Sequence, residues 1–459
     1  MLERLENYFE FTRLKTNWRT EILAGVTTFV TMAYIVLVNP AILAAAGMPL
    51  AAVTAATCLS AGFASIMMGI VARYPIALAP GMGLNAYFAY AVCIKMHMPW
   101  QTALGAVFLS GVLFLYLNTA EIRRRIWRSI FGEFYEKIPG ILKPITTKMI
   151  LRAIPHELYA AVASGIGLFI AFIGFRNAGL VVGDADTLVG MGNIRNPTAV
   201  LALVGLILMV ALEVKKVRGA ILMGVLATTG LAWAMGLTHW TPAAGGFQSL
   251  ASTAFKLDIR GALSKGLLEI VFVFFFVDVF DNLGTLMAVT KRAGLILPDH
   301  SIPRLNRILF TDATATIFGS LTGTSTVTSY VESTAGVAAG GRSGVTPIVT
   351  GLLFLAAIGA APFVGIVPQA ATAPALILVG SLMLSTVTEI QWKDPLVAVP
   401  AFLTLMLIPL TYSIANGLGF GIIAWVVLHL ATGKFRRQDW LLYVLAALFL
   451  ARFVYLGAS

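Results

Sequence analysis

Cysteine stands at two positions, Cys58 and Cys93, both inside apolar runs, so no disulfide framework holds this chain together. Both read as small core residues. Histidine is almost as sparse. The five, His97, His156, His239, His300 and His429, fall in loops or near the ends of apolar runs, without metal-ligand spacing or a relay among them. Charged residues make up 12% of the 459, against 58% hydrophobic, and mean hydropathy is +0.87. That balance excludes a water-soluble domain. The first twenty residues, MLERLENYFEFTRLKTNWRT, lack the apolar core of a cleaved leader, so the first span is expected to do the targeting.

What the chain has instead is a succession of apolar runs, each near the ~20 residues that cross hydrocarbon. Seven lie at 20–46, 51–72, 76–94, 101–118, 157–175, 197–213 and 218–236. Seven more, at 264–290, 306–321, 322–340, 345–361, 366–389, 394–413 and 415–433, follow a polar gap. The expected fold is an all-α polytopic membrane protein of about 14 transmembrane segments, with halves 1–236 and 264–433 and a tail 434–459. The apolar part of that tail, 439–457, is either a further span or an interfacial helix.

The formal net charge of +11 raises the question of nucleic acid, and topology answers it. With the N-terminus in the cytoplasm, 25 lysines and arginines fall inside and six outside. The surplus is positive-inside bias, expected of a multi-pass protein of the cytoplasmic membrane, with no nucleic acid partner. Loop 119–156, the longest cytoplasmic connection, reads either as a basic amphipathic segment on anionic lipid or as a solvated loop.

Two spans are interrupted. "LAPGMGLNAYF" (78–88) opens the third span of the first half with Pro80, Gly81 and Gly83, and "TGTSTVTSYVES" (322–333) opens the third span of the second with a β-prone Thr/Ser run. Irregular backbone at membrane depth survives where protein buries it or where it lines a cavity. An odd number of spans per half inverts the halves, so the broken third spans, with short extended segments, are expected to cross at one central site. "FVDVFDNLGTL" (276–286) places two aspartates in a spanning helix, at roughly 2.5 to 3.5 kcal/mol each on insertion scales. Asp278, Asp281 and Thr285 share one helix face, and Gly284 beside them suggests a close helix approach. Asn85, Tyr330 and Glu332 arrive from the interrupted segments. Such donors, acceptors and a stacking ring suit a planar, polar ligand such as a nucleobase. Three carboxylates close together cannot all stay ionised, so one is expected to carry a proton.

Four ordered motifs, "GVTTFVTMAYIVLVNPAIL" (25–43), "APGMGLNAYFAY" (79–90), "FVDVFDNLGTL" and "TSYVESTAGVAAGGRSG" (328–344), resemble the azaguanine-like purine permeases, relatives of the uracil and xanthine/urate permeases. The resemblance runs over nearly the whole chain. It implies proton-coupled uptake of adenine, guanine or hypoxanthine by alternating access, a seven-plus-seven inverted-repeat transporter fold, a core domain (spans 1–4 and 8–11), a gate domain (5–7 and 12–14) and a homodimer. Carried over, it makes Asp281 and Glu332 the pair that holds the base, with Asn85, Asp278 and Tyr330 around them; Thr285 joins the substrate-binding set through the helix face it shares. With Asp281 and Glu332 committed to the base, Asp278, alone or with Asp281, is the better candidate for the coupling proton, and titration of the cluster as a unit is equally open. No cofactor, metal or enzymatic activity is expected. The chain departs from the family in a longer loop 119–156 and in "GGRSG" where "GGRTG" is commoner. The blander readings make Asp278 a cap or pairing group, Tyr330 core packing and Asn85 an interhelical donor. An anion transporter would want positive or dipolar groups at the centre, and an intramembrane aspartyl hydrolase two aspartates on separate helices with a Gly-Asp motif.

Overall fold

A computed structural model describes residues 2–119, 155–238, 246–264, 268–296, 302–434 and 439–455. Nearly all of the basic connection 119–156 lies outside the described residues. Among those described, nine helices are long and apolar enough to cross a bilayer, from Trp18–Ala44 to Ile414–Ala431. Ala220–Ala234, Pro395–Thr411 and Trp440–Val454 are apolar but shorter. Leu305–Thr322 spans 18 residues but carries Asp312 and several threonines.

Local chemistry sets the helix ends. The Asn17 side chain accepts from Thr20 N–H at 3.0 Å, capping Trp18–Met32. Asn196 and Asp394 do the same for helices that begin with Pro197 and Pro395, where the missing N–H costs nothing. Leu305–Thr322 ends at Gly323 with φ +99°, and a Cβ there would lie 2.3 Å from Thr253 Cβ, so only glycine makes the turn.

The helices pack in two groups. One joins Trp18–Met32, Leu50–Met67, Trp100–Asn118, Leu305–Thr322 and Val345–Ala356. The other joins His156–Asn177, Gln369–Leu384, Pro395–Thr411 and Ile414–Ala431. Within each, glycines bring backbones together. A Cβ on Gly351 would sit 2.6 Å from the Gly62 carbonyl oxygen, and one on Gly380 would sit 2.4 Å from that of Gly167. Lipid supplies no hydrophobic drive between helices, so such close van der Waals contact carries much of the association.

Residues 76–94 and 322–340 are not continuous helices. Strand β1 (Leu78–Pro80) is followed by Met82–Ala86 and a wider-turned helix, Tyr87–Lys95. Strands β2 (Val181–Asp184) and β3 (Leu188–Met191) form a largely exposed hairpin, and β4 (Val327–Ser329) leads into Ser333–Ala338. β1 and β4 pair antiparallel, Leu78 opposite Ser329 and Pro80 opposite Val327. Further backbone bonds extend the pairing, Gly81 N to Thr326 O at 2.9 Å and Tyr330 N to Ala77 O at 3.0 Å. Side chains complete it: Ser65 Oγ receives Leu78 N–H at 2.9 Å, and Ser333 Oγ receives Ala77 N–H at 3.0 Å. The buried strands thus keep the hydrogen bonds that a break in a helix would forfeit.

Candidate functional site

The helix Leu268–Ala293 runs beside this strand pair and carries four polar residues within two turns. Asp278, Asn282 and Thr285 are buried, and Asp281 is half-buried. Asp281 turns toward the first strand's end, where a Cβ on Gly81 would lie 4.0 Å from its Oδ2. Glu332, half-buried, stands at the start of Ser333–Ala338, and its Oε1 accepts the Tyr34 hydroxyl at 2.6 Å. Asp281 and Glu332 lie within electrostatic reach of each other. Tyr330 sits between the strands, its hydroxyl donating to Pro80 O. Because proline has no N–H and its carbonyl takes the tyrosine hydroxyl, that hydroxyl helps tie the two segments together.

Asn85 is wholly buried and turns into an amide chain. Its Nδ2 donates to Asn39 Oδ1 at 2.6 Å, and Asn39 Nδ2 donates to Thr57 Oγ1 at 2.7 Å and Thr324 Oγ1 at 3.0 Å. The chain links the first helix group to the loop before β4. Gly284 faces open space, with nothing within 4 Å of a Cβ built there, so the close approach expected at that glycine is not made. Thr285 shares the Asp281 face one turn on.

Asp312, on Leu305–Thr322, is a functional candidate the sequence reading passed over. It is wholly buried, within electrostatic reach of Asp278 and Asp281, and faces Asn282 and the Ser329 backbone. Among the described residues, both Asp312 oxygens, Asp278 Oδ1 and both amide atoms of Asn282 are buried without a hydrogen-bond partner at bonding geometry. Thr316 bridges the cluster: its Oγ1 lies 3.1 Å from Asp278 Oδ2 and 3.1 Å from Val327 O. One hydroxyl has one proton. If Thr316 donates to the Val327 carbonyl, its contact with Asp278 requires a proton on the carboxyl. The signal for Asp312 was present in "FTDATATIFG", a carboxylate within an apolar run, as were Tyr34 and Asn39 in the first motif.

The second helix group closes over the site. Tyr159 lies against Phe280 with ring centroids 4.0 Å apart, and a Cβ on Gly83 would meet Ile166 Cγ2 at 2.5 Å. The helix that carries Asp281 and the helix after β1 therefore meet the second group beside the site.

A family model described as a permease family matches residues 19–132 and 137–415. A Methanocaldococcus jannaschii protein, named only as a permease, is 47% identical over the whole of both chains. The adenine permease AdeP of Escherichia coli K12 is 39% identical over 99% of this chain and 97% of its own. The guanine/hypoxanthine permease PbuG of Bacillus subtilis 168 is 40% identical over 98% of this chain and 100% of its own. Among solved structures, the transmembrane domain of the cyanobacterial bicarbonate transporter BicA aligns with TM-score 0.61 at 16% identity, over 89% of this chain and 97% of that one. At that identity the likeness establishes fold alone. With a family model matched along most of its length and relatives near 40% identity end to end, the chain belongs to this permease family of multi-pass membrane transporters.

Proposed function

We propose that this permease takes up purine nucleobases, adenine, guanine or hypoxanthine, together with protons across the cytoplasmic membrane. AdeP and PbuG are named for such bases and match this chain end to end. One observation carries the reading: Asp281 and Glu332 converge from a helix and from the paired strands onto one partly open point. Two carboxylates accept hydrogen bonds from ring and exocyclic N–H groups, and Tyr34 aims one of them by donating to Glu332. Tyr330 and Asn85 shape the site at one remove, by tying Pro80 and Asn39, and Thr285 extends the polar face.

Asp278 is the coupling group in this proposal, with Asp312 and Thr316 as its neighbours and Asp281 close enough to share the charge. With the Thr316 hydroxyl donating to the Val327 carbonyl, its contact with Asp278 calls for a proton on that carboxyl, which supports the assignment.

The architecture that goes with it has fourteen spans in two inverted halves, 1–236 and 264–433, whose broken third spans supply β1 and β4. Spans 1–4 and 8–11 form a core domain and spans 5–7 and 12–14 a gate. The two helix groups support this partition, and a seam lined by Gly83, Ile166 and Phe280 suits rocking of one against the other, which is alternating access. The N-terminus faces the cytoplasm and the gate domain joins two copies in a homodimer.

Competition tests the substrate. Uptake of labelled adenine into cells expressing the chain is measured against excess unlabelled adenine, hypoxanthine, guanine, xanthine, uracil and sulfate. Suppression by one or more of the first three, with sulfate inert, is expected. Competition by sulfate alone, or no saturable adenine uptake, sinks the proposal.

A further inference from the structure

A second polar site lies away from the carboxylates. A cavity of about 180 Å³ opens on the N-terminal segment, the 294–296 turn and the start of Leu305–Thr322, and Arg13, Arg73, Arg304, Arg342 and Tyr74 line it. Its volume exceeds that of several waters at ~30 Å³ each. Among the described residues, Glu10 is the carboxylate that pairs with these guanidiniums: Arg304 Nη2 at 2.9 Å, Arg73 Nη1 at 3.5 Å, and Arg13. Among the described residues four guanidiniums thus meet one carboxylate, with Arg73 Nη1 also donating to Tyr8 O at 2.9 Å and Arg304 Nη1 to Ala72 O at 3.3 Å. Arg342 spends one nitrogen on the Val337 and Gly341 carbonyls at 2.6 and 2.7 Å. Arg73 Nε is buried without a partner among the described residues. Burial first, then Arg73 and Arg13, press the Arg304 guanidinium below its ordinary range against the opposing pull of Glu10.

Positive-inside bias does not account for this. Topological charges need only stand in water on the correct side and are served by lysine or arginine alike. Here all four are arginine, and the side chains of Arg73 and Arg304 are only 22% and 20% exposed. Each forms a planar fork that suits the oxygens of a tetrahedral anion. Arg73 and Arg304 also stack on Tyr8 and Tyr74, at 4.9 and 5.7 Å from the ring centroids, which fixes their planes.

We propose that this arginine cavity binds a phosphate group, presented either by a soluble phosphate ester or by an anionic lipid headgroup. The occupant adds negative charge beside Glu10 and bridges the N-terminal segment to the turn after the Asp278 helix and to the head of the Asp312 helix. The attraction weakens with salt, because the site opens to solvent.

The test uses purified, delipidated full-length protein. Pyrophosphate binding is measured by titration calorimetry in detergent, and phosphatidylglycerol retention by native mass spectrometry after incorporation into mixed phosphatidylcholine discs. Arg73→Gln, Arg304→Gln and Arg13→Gln are compared, with adenine binding as the check on folding. Arg13 is 60% exposed, so its variant carries the test if the other two do not fold. Saturable pyrophosphate binding weakened at least tenfold in the variants assigns a soluble ligand. Retention of phosphatidylglycerol alone, lost in the variants, assigns the lipid. Neither ligand bound by the wild type, or binding unchanged in every variant that folds, overturns the proposal.

Discussion

Replacing Asp278 by Asn removes a proton site while leaving its shape in place. The amide nitrogen can take the position of Oδ2 and donate to Thr316 Oγ1, which lies 3.1 Å away in the native protein, as the protonated carboxyl does. The amide oxygen then takes the place of Oδ1, an atom already without a partner among the described residues, so packing around this 1%-exposed residue changes little. Binding and exchange of purine should persist. Accumulation should not. One pH unit is worth about 1.36 kcal/mol per proton, so a single coupled proton sustains roughly a tenfold purine gradient per unit. A potential of 100 mV adds about 2.3 kcal/mol per charge, or roughly fiftyfold. Proteoliposomes with an imposed pH step and the potential clamped at zero isolate the first quantity. The wild type is expected to concentrate labelled adenine about tenfold per unit, and Asp278→Asn to stop near unity, with counterflow in the same vesicles at native rates. Native dependence on the gradient in Asp278→Asn refutes the reasoning. If Asp312→Asn alone then abolishes accumulation, the proton belongs to Asp312.

Asp281→Ala and Glu332→Ala should each weaken adenine binding at least tenfold in correctly inserted protein, since a hydrogen bond to a charged group contributes about 1.5–3 kcal/mol. Equilibrium dialysis decides, and native affinity in both moves the site elsewhere. Gly83→Val drives a branched side chain into Ile166, whose Cγ2 already stands 2.5 Å from a Cβ position, and overpacking of that kind costs about 1–3 kcal/mol. Transport should fall severalfold, whereas Gly284→Ala, facing open space, should transport normally; equal rates would deny the seam its role. Glu21 is wholly buried and accepts from Thr16 Oγ1, Arg342 N, Ser343 N and Thr346 Oγ1, the last at 2.5 Å. Glu21→Gln turns one acceptor oxygen into a donor facing donors and should lower the thermal midpoint by several degrees, the scale set by about 1–3 kcal/mol per unsatisfied group. An unchanged midpoint would show the turn at Arg342 to be held by other contacts.

The sequence made some of this legible and hid the rest for identifiable reasons. Aspartates in an apolar helix declare themselves because each is expensive, and Asp278 and Asp281 were visible on that ground. Asp312 obeys the same logic but sits among threonines that soften the contrast. The proline, the glycines and the Thr/Ser run marked 78–88 and 322–333 as departures from ordinary helix, although in the first only Leu78–Pro80 is strand and helix resumes at Met82. That Pro80 would pair with Val327 was not legible, because pairing is a relation between distant segments. Asn85 shows the same limit, since its partner Asn39 lies 46 residues away and engages its Nδ2 in a buried amide chain, leaving its Oδ1 without a partner among the described residues. At Gly284 the helical wheel gave the right face and the wrong neighbour: periodicity says which residues point together, not what lies opposite them.

The antiparallel pair at the centre also constrains how the protein is made. Ala77 and Gly81 reach the membrane with a C=O and an N–H whose partners, Tyr330 N–H and the Thr326 carbonyl, are synthesised about 250 residues later. At 5–20 residues per second that delay is roughly ten to fifty seconds. Through that interval the nascent first half holds unpaired backbone, which hydrocarbon does not tolerate. It must wait with this segment in water, in the translocation machinery, or against a surrogate strand. Ser65, whose hydroxyl meets both the N–H and the carbonyl of Leu78, is already present in the emerging chain and can satisfy that residue early. Assembly of the centre is therefore a late event of biogenesis, and the first half expressed alone has no means of completing it.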